Sequence, residues 1–178
     1  MSTFVKRVIL SAKLNSEIYE EVEADREALS QAMTVVVLSS LAAGAGSLRQ
    51  VGMNGVVWGT VLALVGWLIW AYLAFVIGTK LLPEPQTRST YGELLRTIGF
   101  ASAPGIIRVL GVFPGLTFIS ILAAEVWMLA AMIVAVRQAL DYSSTWRAVL
   151  VCLIGWAIQA LLAVSVFVLV GGPAGLSQ

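Results

Sequence analysis

The stretch that decides the fold is Gly55-Val-Val-Trp-Gly-Thr-Val-Leu-Ala-Leu-Val-Gly-Trp-Leu-Ile-Trp-Ala-Tyr-Leu-Ala-Phe-Val-Ile-Gly-Thr79. It lies within a run of 30 residues, Gln50 to Thr79, that contains no Asp, Glu, Lys or Arg. The run is too long for a β-strand and too evenly apolar for one face of a surface helix. At about 1.5 Å per residue, a helix of this length crosses a hydrocarbon core of roughly 30 Å with room for tilt. The stretch therefore predicts a transmembrane helix.

The composition indicates a membrane protein with one embedded domain. Of the 178 residues, 59% are hydrophobic and 12% are charged, and the mean hydropathy is +0.91. An average soluble domain carries about 25% charged residues. The single cysteine, Cys152, excludes an intramolecular disulfide, and there is no histidine. Because histidine is the commonest general base and metal ligand, we expect no catalytic residues, no metal, no cofactor and no enzymatic activity.

Residues 1–28 predict a cytoplasmic lead of short amphipathic helices without a cleavable signal peptide. Lys6 and Lys13 flank a face that is otherwise apolar. That face consists of Phe4, Val5, Val8, Ile9 and Ala12. Such a helix either lies in the headgroup region of an anionic leaflet or packs on the cytoplasmic face of the protein itself. The next segment carries six carboxylates in residues 17–27. We interpret it as a solvated helix face rather than a cation site, because it lacks the loop and turn glycine of an EF-hand.

The pattern predicts an all-α fold, a polytopic domain (29–171) with five transmembrane helices and a flexible tail (172–178). The predicted spans are about 29–48, 55–79, 96–112, 116–136 and 147–170. The third span is short and contains Pro104-Gly105, so a re-entrant segment is the competing interpretation.

The distribution of cations favours five crossings that begin in the cytoplasm. With this topology nine of the eleven Lys and Arg residues face the cytoplasm, Arg49 alone faces outward, and Arg108 lies within the third span. Cytoplasmic loops carry such an excess of Lys and Arg. Four crossings would instead place the basic loop at 137–147 outside. We therefore expect a multi-pass protein with its N-terminus in the cytoplasm and its C-terminus outside.

Three short motifs resemble the Yip (Ypt-interacting protein) domain family, its bacterial branch in particular. They are Tyr19-Glu-Glu-Val-Glu-Ala-Asp25, Gln31-Ala32 and Thr90-Tyr-Gly-Glu-Leu-Leu95. The resemblance implies an integral protein of the bacterial cytoplasmic membrane. For eukaryotic relatives it implies binding of small GTPases, but their acidic-Leu-Tyr-Gly-Pro signature is replaced here by Ser89-Thr-Tyr-Gly-Glu93. GTPase binding is therefore not carried over to this chain.

Polar residues at bilayer depth form the candidate site. Glu125 lies near the middle of the fourth predicted span and Gln159 near the middle of the fifth. A charge at that depth costs about 2.5–3.5 kcal/mol on insertion scales, so Glu125 should face the bundle interior. Because the two helices are antiparallel, we expect a hydrogen bond between Glu125 and Gln159. Arg108, near the outer turn, should snorkel outward, although a salt bridge to Glu125 is possible.

The sequence as a whole predicts a non-enzymatic scaffold or membrane-organising factor that acts through helix packing and cytoplasmic contacts. In this interpretation Glu125 and Gln159 hold helices together. The alternative is a small transporter or channel with Glu125 as its intramembrane polar centre. Paired broken helices or repeated halves would favour the alternative, and we find one proline-interrupted span and no repeat. The expected partners are the lipid bilayer and other membrane proteins or a second copy; nothing points to nucleic acid.

Overall fold

The computed structural model of the protein describes residues 3–169, except for the side chains of 162–164 and 166–169. Every secondary-structure element in this range is helical. The long elements are α1 (Thr3–Ala12), α2 (Ser16–Ala24), α3 (Ala28–Gly46), α4 (Leu48–Val76), α5 (Tyr91–Phe100), α6 (Thr117–Ala139) and α7 (Thr145–Leu169). A π-helical turn, Ile77–Leu81, extends α4, and a 3₁₀ helix, Ala103–Val112, extends α5. The tail predicted at 172–178 lies outside the described residues.

Four helical segments of the described chain are long and apolar enough to cross a membrane. They are Ala28–Gly46, Leu48–Leu81, Tyr91–Val112 and Thr117–Ala139. The helix α7 contains 25 residues and is apolar over Thr145–Leu161. The all-helical membrane fold is therefore confirmed with four candidate spans, and the fifth span stays a prediction.

The second span begins earlier than expected. Instead of a turn over residues 49–54, the chain continues as helix from Leu48 and is interrupted only at Gly52, where φ is +66° and ψ is 179°. Glycine adopts this left-handed backbone region without the steric penalty that a Cβ would cause. A single glycine therefore replaces the predicted loop by a kink.

The third span also begins earlier, at Tyr91 rather than at 96. Thr90 and Glu93 form a reciprocal capping box: the Glu93 amide donates to Thr90 Oγ1 at 3.4 Å, and the Thr90 amide donates to Glu93 Oε2 at 2.7 Å. Such a box satisfies backbone donors that have no partner within the helix, and so it fixes the first turn. From this start the helical segment is 22 residues long, enough to cross a membrane.

The third span, α5 with its 3₁₀ extension, lies at the centre of the bundle. In its most apolar stretch 61% of the residues are buried, against 28% to 39% in the other three candidate spans. Glycines on the side that faces α3 explain the close packing. A Cβ added at Gly99, Gly105 or Gly111 would lie 2.1–2.8 Å from an atom of α3. Small residues of this kind let membrane helices bring their backbones together.

The helices α1 and α2 form a helical hairpin, called the N-terminal hairpin below. Arg7 of α1 is buried, and its guanidinium lies 2.9 Å from Glu21 Oε1 and 2.8 Å from Asp25 Oδ2. Arg7 Nη1 also donates to Gln31 Oε1 of α3 at 3.1 Å. Because a buried cation is costly unless it is paired and hydrogen-bonded, this set of partners holds the hairpin closed.

Hydrogen bonds from α5 and α6 also hold the N-terminal hairpin to the bundle. Arg96 of α5 donates to the carbonyl oxygens of Val22 and Glu23 in the last turn of α2, where unpaired carbonyls and the helix dipole favour a cation. Trp127 Nε1 of α6 donates to the carbonyl oxygen of Ala12 at the end of α1, at 2.6 Å. The hairpin is therefore part of the packed bundle.

Polar segments meet at one end of the bundle, called the hairpin end below. Gln138 of α6 donates to Glu20 of the hairpin at 2.7 Å. Glu84, in the loop after α4, accepts from the amide and the hydroxyl of Ser143 at 2.9 and 2.7 Å and pairs with Arg147 at 3.2 Å. These contacts place the hairpin, the 82–90 loop and the α6–α7 connection together.

The docking of the N-terminal hairpin should weaken as pH rises. Burial raises the pKa of Glu23 to about 7, and the carboxylates of Glu93, Asp141 and Glu20 add to this rise while Arg96 opposes it. The folded protein therefore favours the protonated carboxyl. The stabilisation of the folded state by protonated Glu23 is complete below the pKa of this residue in the unfolded chain, about 4.5. It is lost as pH rises through the pKa in the folded protein, about 7.

The measurement is the midpoint of thermal unfolding in detergent between pH 5 and pH 8. Glu23→Gln should flatten the decline that the wild type shows over this interval, whereas Glu17→Gln, a change at an exposed carboxylate of the same helix, should leave it unchanged. Equal slopes for Glu23→Gln and the wild type would contradict this prediction.

Candidate functional site

A cavity of about 380 Å³ opens at the side of the bundle and is lined by residues from α3, α4, α5, the 3₁₀ helix, α6 and α7. We call it the polar cavity after the hydrophilic residues in its wall. These residues are Ser39, Ser40, Ser102, Arg108, Glu125 and Gln159. The structure thus brings all three residues of the predicted site, Arg108, Glu125 and Gln159, to one cavity. Their role stays a prediction.

Arg108 points into the bundle, although we expected it to snorkel outward. Its Nε donates to the carbonyl oxygen of Gly105 at 3.0 Å, and its Nη2 donates to Ser39 Oγ of α3 at 2.7 Å. The cause is the 3₁₀ geometry, in which residues i and i+3 eclipse each other. The Arg108 side chain consequently lies over Gly105. A Cβ on Gly105 would lie 2.6 Å from Arg108 Nη2, so only glycine leaves room for this arrangement.

Glu125 pairs with Arg108. Arg108 Nη1 lies 3.3 Å from Glu125 Oε1, a longer contact than the 2.7–2.9 Å or so of a strong charge-assisted hydrogen bond. The two side chains differ in exposure, because 58% of the Glu125 side chain is accessible and only 16% of the Arg108 side chain is. The carboxylate therefore faces the open part of the cavity, while the guanidinium is enclosed by protein.

Gln159 of α7 lines the same cavity. In the described part of the chain, however, no hydrogen bond joins it to Glu125. The predicted contact assumed that neighbouring antiparallel helices supply each other's polar partners. The inward turn of Arg108 gives Glu125 a charged partner instead, and a charged partner stabilises a carboxylate more than an amide does.

Two tryptophans that the sequence reasoning did not single out close the polar cavity towards the hairpin end. Trp67 Nε1 donates to the carbonyl oxygen of Leu95 at 3.0 Å, which ties α4 to α5. Trp70 Nε1 lies 3.1 Å from Met132 Sδ, which ties α4 to α6. Their spacing of three residues places both on one helix face, and this spacing is the signal that could have found them.

A second cavity of about 280 Å³ lies between α3 and α4, and we call it the α3–α4 groove. It shares Ser40, Ala63 and Arg108 with the polar cavity and reaches Ser47 and Val51, near the α3–α4 connection. The groove, lined mostly by Gly, Ala and Val with Ser40 and Ser47, therefore leads from that connection to Arg108, and the two tryptophans limit the polar cavity at the other side.

Within residues 3–169, His, Cys, Asp and Glu form no group of three or more that could hold a metal ion. The chemistry that the polar cavity offers is recognition: a guanidinium with an adjacent, partly free carboxylate, surrounded by apolar and aromatic side chains.

These features define a polytopic α-helical membrane protein with a charged pair in the wall of an open cavity. Comparison with protein families matches the Yip1 domain over residues 11–167, which is most of the chain. The chain belongs to the Yip1 domain family, and the resemblance noted in the sequence is confirmed at this level. Neither the comparison with curated proteins nor that with solved structures found a match.

Gly105 should be needed for the position of Arg108. In Gly105→Ala, the new methyl group would lie 2.1 Å from Ser39 Oγ and 2.6 Å from Arg108 Nη2, so the bundle must open or the guanidinium must move. Overpacking of this kind costs about 1–3 kcal/mol, and the thermal unfolding midpoint in detergent should fall accordingly. Gly59→Ala, where the methyl group meets nothing within 4 Å, is the matched control and should not destabilise the protein. If Gly105→Ala has the same unfolding midpoint as the wild type, the packing of residue 105 against Ser39 and Arg108 is not tight and the prediction is wrong.

Proposed function

We propose that this protein is a bacterial Yip-type protein of the cytoplasmic membrane that crosses the bilayer five times, from a cytoplasmic N-terminus to an external C-terminus, and acts as a non-enzymatic membrane-organising factor. The family match supports the integral membrane class. The length and apolar character of α7 support the fifth crossing. Its partners are the lipids around it and, through helix packing, other membrane proteins or a second copy.

The arrangement of charges supports the orientation. Nine of the eleven Lys and Arg residues belong to the N-terminal hairpin and its connection to α3, the region from Lys80 to Arg96, and the α6–α7 region. Contacts between these regions bring them together at the hairpin end. Because the positive-inside rule assigns the cation-rich side to the cytoplasm, the hairpin end is the cytoplasmic side.

The observation that carries the proposal is the outward face of α1. Phe4, Val8 and Ala12 of its apolar face pack against the core, whereas Val5 and Ile9 are 41% and 40% exposed. Lys6 and Lys13 are exposed beside them. An exposed face of this composition suits the headgroup region of an anionic leaflet.

Because the N-terminal hairpin is held to the bundle, contact of α1 with the leaflet should affect the curvature of the membrane. A mobile amphipathic helix would adjust to the bilayer, but α1 is held by Arg7 within the hairpin and by Arg96 and Trp127 to the bundle. A fixed helix inserted into one leaflet adds area to that leaflet alone. Such insertion is sensitive to curvature, so the protein should favour curved membrane.

The exposed apolar face of α1 should drive enrichment on curved membrane. Full-length labelled protein is reconstituted into giant vesicles that contain anionic lipid, and membrane tubes are pulled from them. Ile9→Glu should lower the ratio of protein on the tube to protein on the vesicle by about twofold or more, because it removes apolar area from the inserted face. Thr3→Glu adds the same charge to the same helix and should retain most of the enrichment. If the two variants behave alike, the effect is electrostatic and the insertion mechanism is wrong.

A second candidate function, a small carrier or channel, is favoured by one observation. The polar cavity and the α3–α4 groove meet at Arg108 and are limited by Trp67 and Trp70, as in a pathway open to one side.

Cation and proton flux into liposomes that contain the full chain separates the two functions. For a membrane-organising factor we expect that the wild type and Glu125→Gln fold alike and that neither conducts above protein-free liposomes. A flux in the wild type that Glu125→Gln abolishes, and that Glu17→Gln at the exposed hairpin retains, would favour the carrier.

A further inference from the structure

We propose that the polar cavity binds a zwitterionic group, an anion next to an ammonium as in an ethanolamine phosphodiester, with the anion at Arg108 and the ammonium at Glu125. This site goes beyond the proposed function, because it requires occupancy of the cavity and neither curvature sensing nor transport.

The net charge of the cavity wall selects a ligand of zero net charge. Arg108 and Glu125 are the two charged residues among those that line it. Charges interact strongly where water is scarce, so a simple cation attracted by Glu125 would be repelled by the guanidinium 3.3 Å away. A simple anion would meet the same conflict with the carboxylate. A group that carries both charges side by side is complementary to both residues at once.

The hydrogen bonds of the pair leave atoms free for such a group. Gly105 and Ser39 hold the Nε and Nη2 side of the Arg108 guanidinium, so the guanidinium cannot follow a ligand or withdraw from it. Its Nη1 makes only the long contact to Glu125 Oε1. In the described part of the chain no group donates a hydrogen bond to Glu125 Oε2. The free oxygen is an acceptor for an ammonium, and Nη1 is a donor for the adjacent anion.

The remaining wall of the polar cavity suits the apolar part of an amphiphile. Met128, Met132 and three tryptophans line it, and a Cβ at Gly66 would meet nothing within 4 Å. The helices α4 and α7 touch where Gly155 packs on the Trp70 ring, but Leu62 and Leu161, further from the hairpin end, are 66% and 68% exposed. The cavity is thus accessible from the bilayer between these helices, while the α3–α4 groove offers a route for a soluble molecule.

The test is native mass spectrometry of the full chain released from detergent, with phosphatidylethanolamine, the anionic phosphatidylglycerol or soluble glycerophosphoethanolamine added. The wild type should retain phosphatidylethanolamine in preference to phosphatidylglycerol. Glu125→Gln should lower its retention by about tenfold, since the ammonium loses its charged acceptor. Gly66→Phe should abolish retention by filling the cavity without touching the charged pair. Val61→Phe, on an exposed position of α4 outside the cavity, is the matched control and should bind as the wild type does.

The outcomes separate the source of the group as well as the existence of the site. Displacement of the lipid by soluble glycerophosphoethanolamine shows that the zwitterionic group alone is recognised, and retention of the lipid shows that the site is specific for phospholipid. Equal retention of the two lipids, or unchanged retention in Glu125→Gln, overturns the proposal. If Glu125→Gln does not fold, Gly66→Phe decides: retention equal to that of Val61→Phe overturns it. The binding measurement involves neither flux nor curvature. Loss of lipid binding would therefore leave the proposed function unaffected, and a negative curvature or flux result would leave the binding site unaffected.

Discussion

The structure depends on how closely α3 approaches the third span. In a bilayer the hydrophobic effect does not drive helices together, so van der Waals contact across small residues must do so. Gly99, Gly105 and Gly111 provide this contact on the side that faces α3. Their spacing of six residues equals two turns of a 3₁₀ helix, which keeps Gly105 and Gly111 on one side of the 3₁₀ segment. The same approach brings Ser39 to the Arg108 guanidinium, so helix packing and the position of the charged pair have one cause.

Hydropathy predicts the long apolar helices of the fold, because the thickness of the bilayer sets their length and composition. The spans expected at 29–48 and 116–136 correspond to Ala28–Gly46 and Thr117–Ala139. Hydropathy places the ends less well, because helix ends are set by local hydrogen bonds. The predicted third span omits residues 91–95, yet the helix begins at Tyr91, because Thr90 and Glu93 form the cap that starts it. The sequence contained this signal as a Thr-x-x-Glu pattern within one of the motifs that resemble the Yip family.

The direction of Arg108 could not be predicted in the same way. An α-helical wheel already puts Gly105 and Arg108 on neighbouring positions. However, nothing in residues 103–112 predicts a 3₁₀ helix of ten residues, which is uncommon, or the hydrogen bond from Arg108 to Ser39 of another helix. The partner of Glu125 depends on that direction, so the expected contact with Gln159 failed with it. The case of α1 is similar. A helical wheel of α1 identifies its apolar face. The burial of Arg7, however, depends on Glu21 in α2 and on Asp25 at its C-terminal end, and a wheel of α1 alone does not include these partners.

Arg7, which is buried, and Arg108, which is partly buried, differ in how completely their charges are paired. Arg7 has two carboxylates within 2.9 Å and an amide oxygen, and no side of its guanidinium is left to an open cavity. Arg108 has one carboxylate at 3.3 Å, and that carboxylate is mostly accessible. An ion pair removed from water offsets its desolvation only when its geometry is good and its remaining hydrogen bonds are satisfied. Because Glu125 stays largely accessible, this pair loses less hydration than Arg7 and its carboxylates do, and its single long contact is less complete. The position of the Arg108 guanidinium therefore depends more on its hydrogen bonds to Gly105 and Ser39 than on the carboxylate.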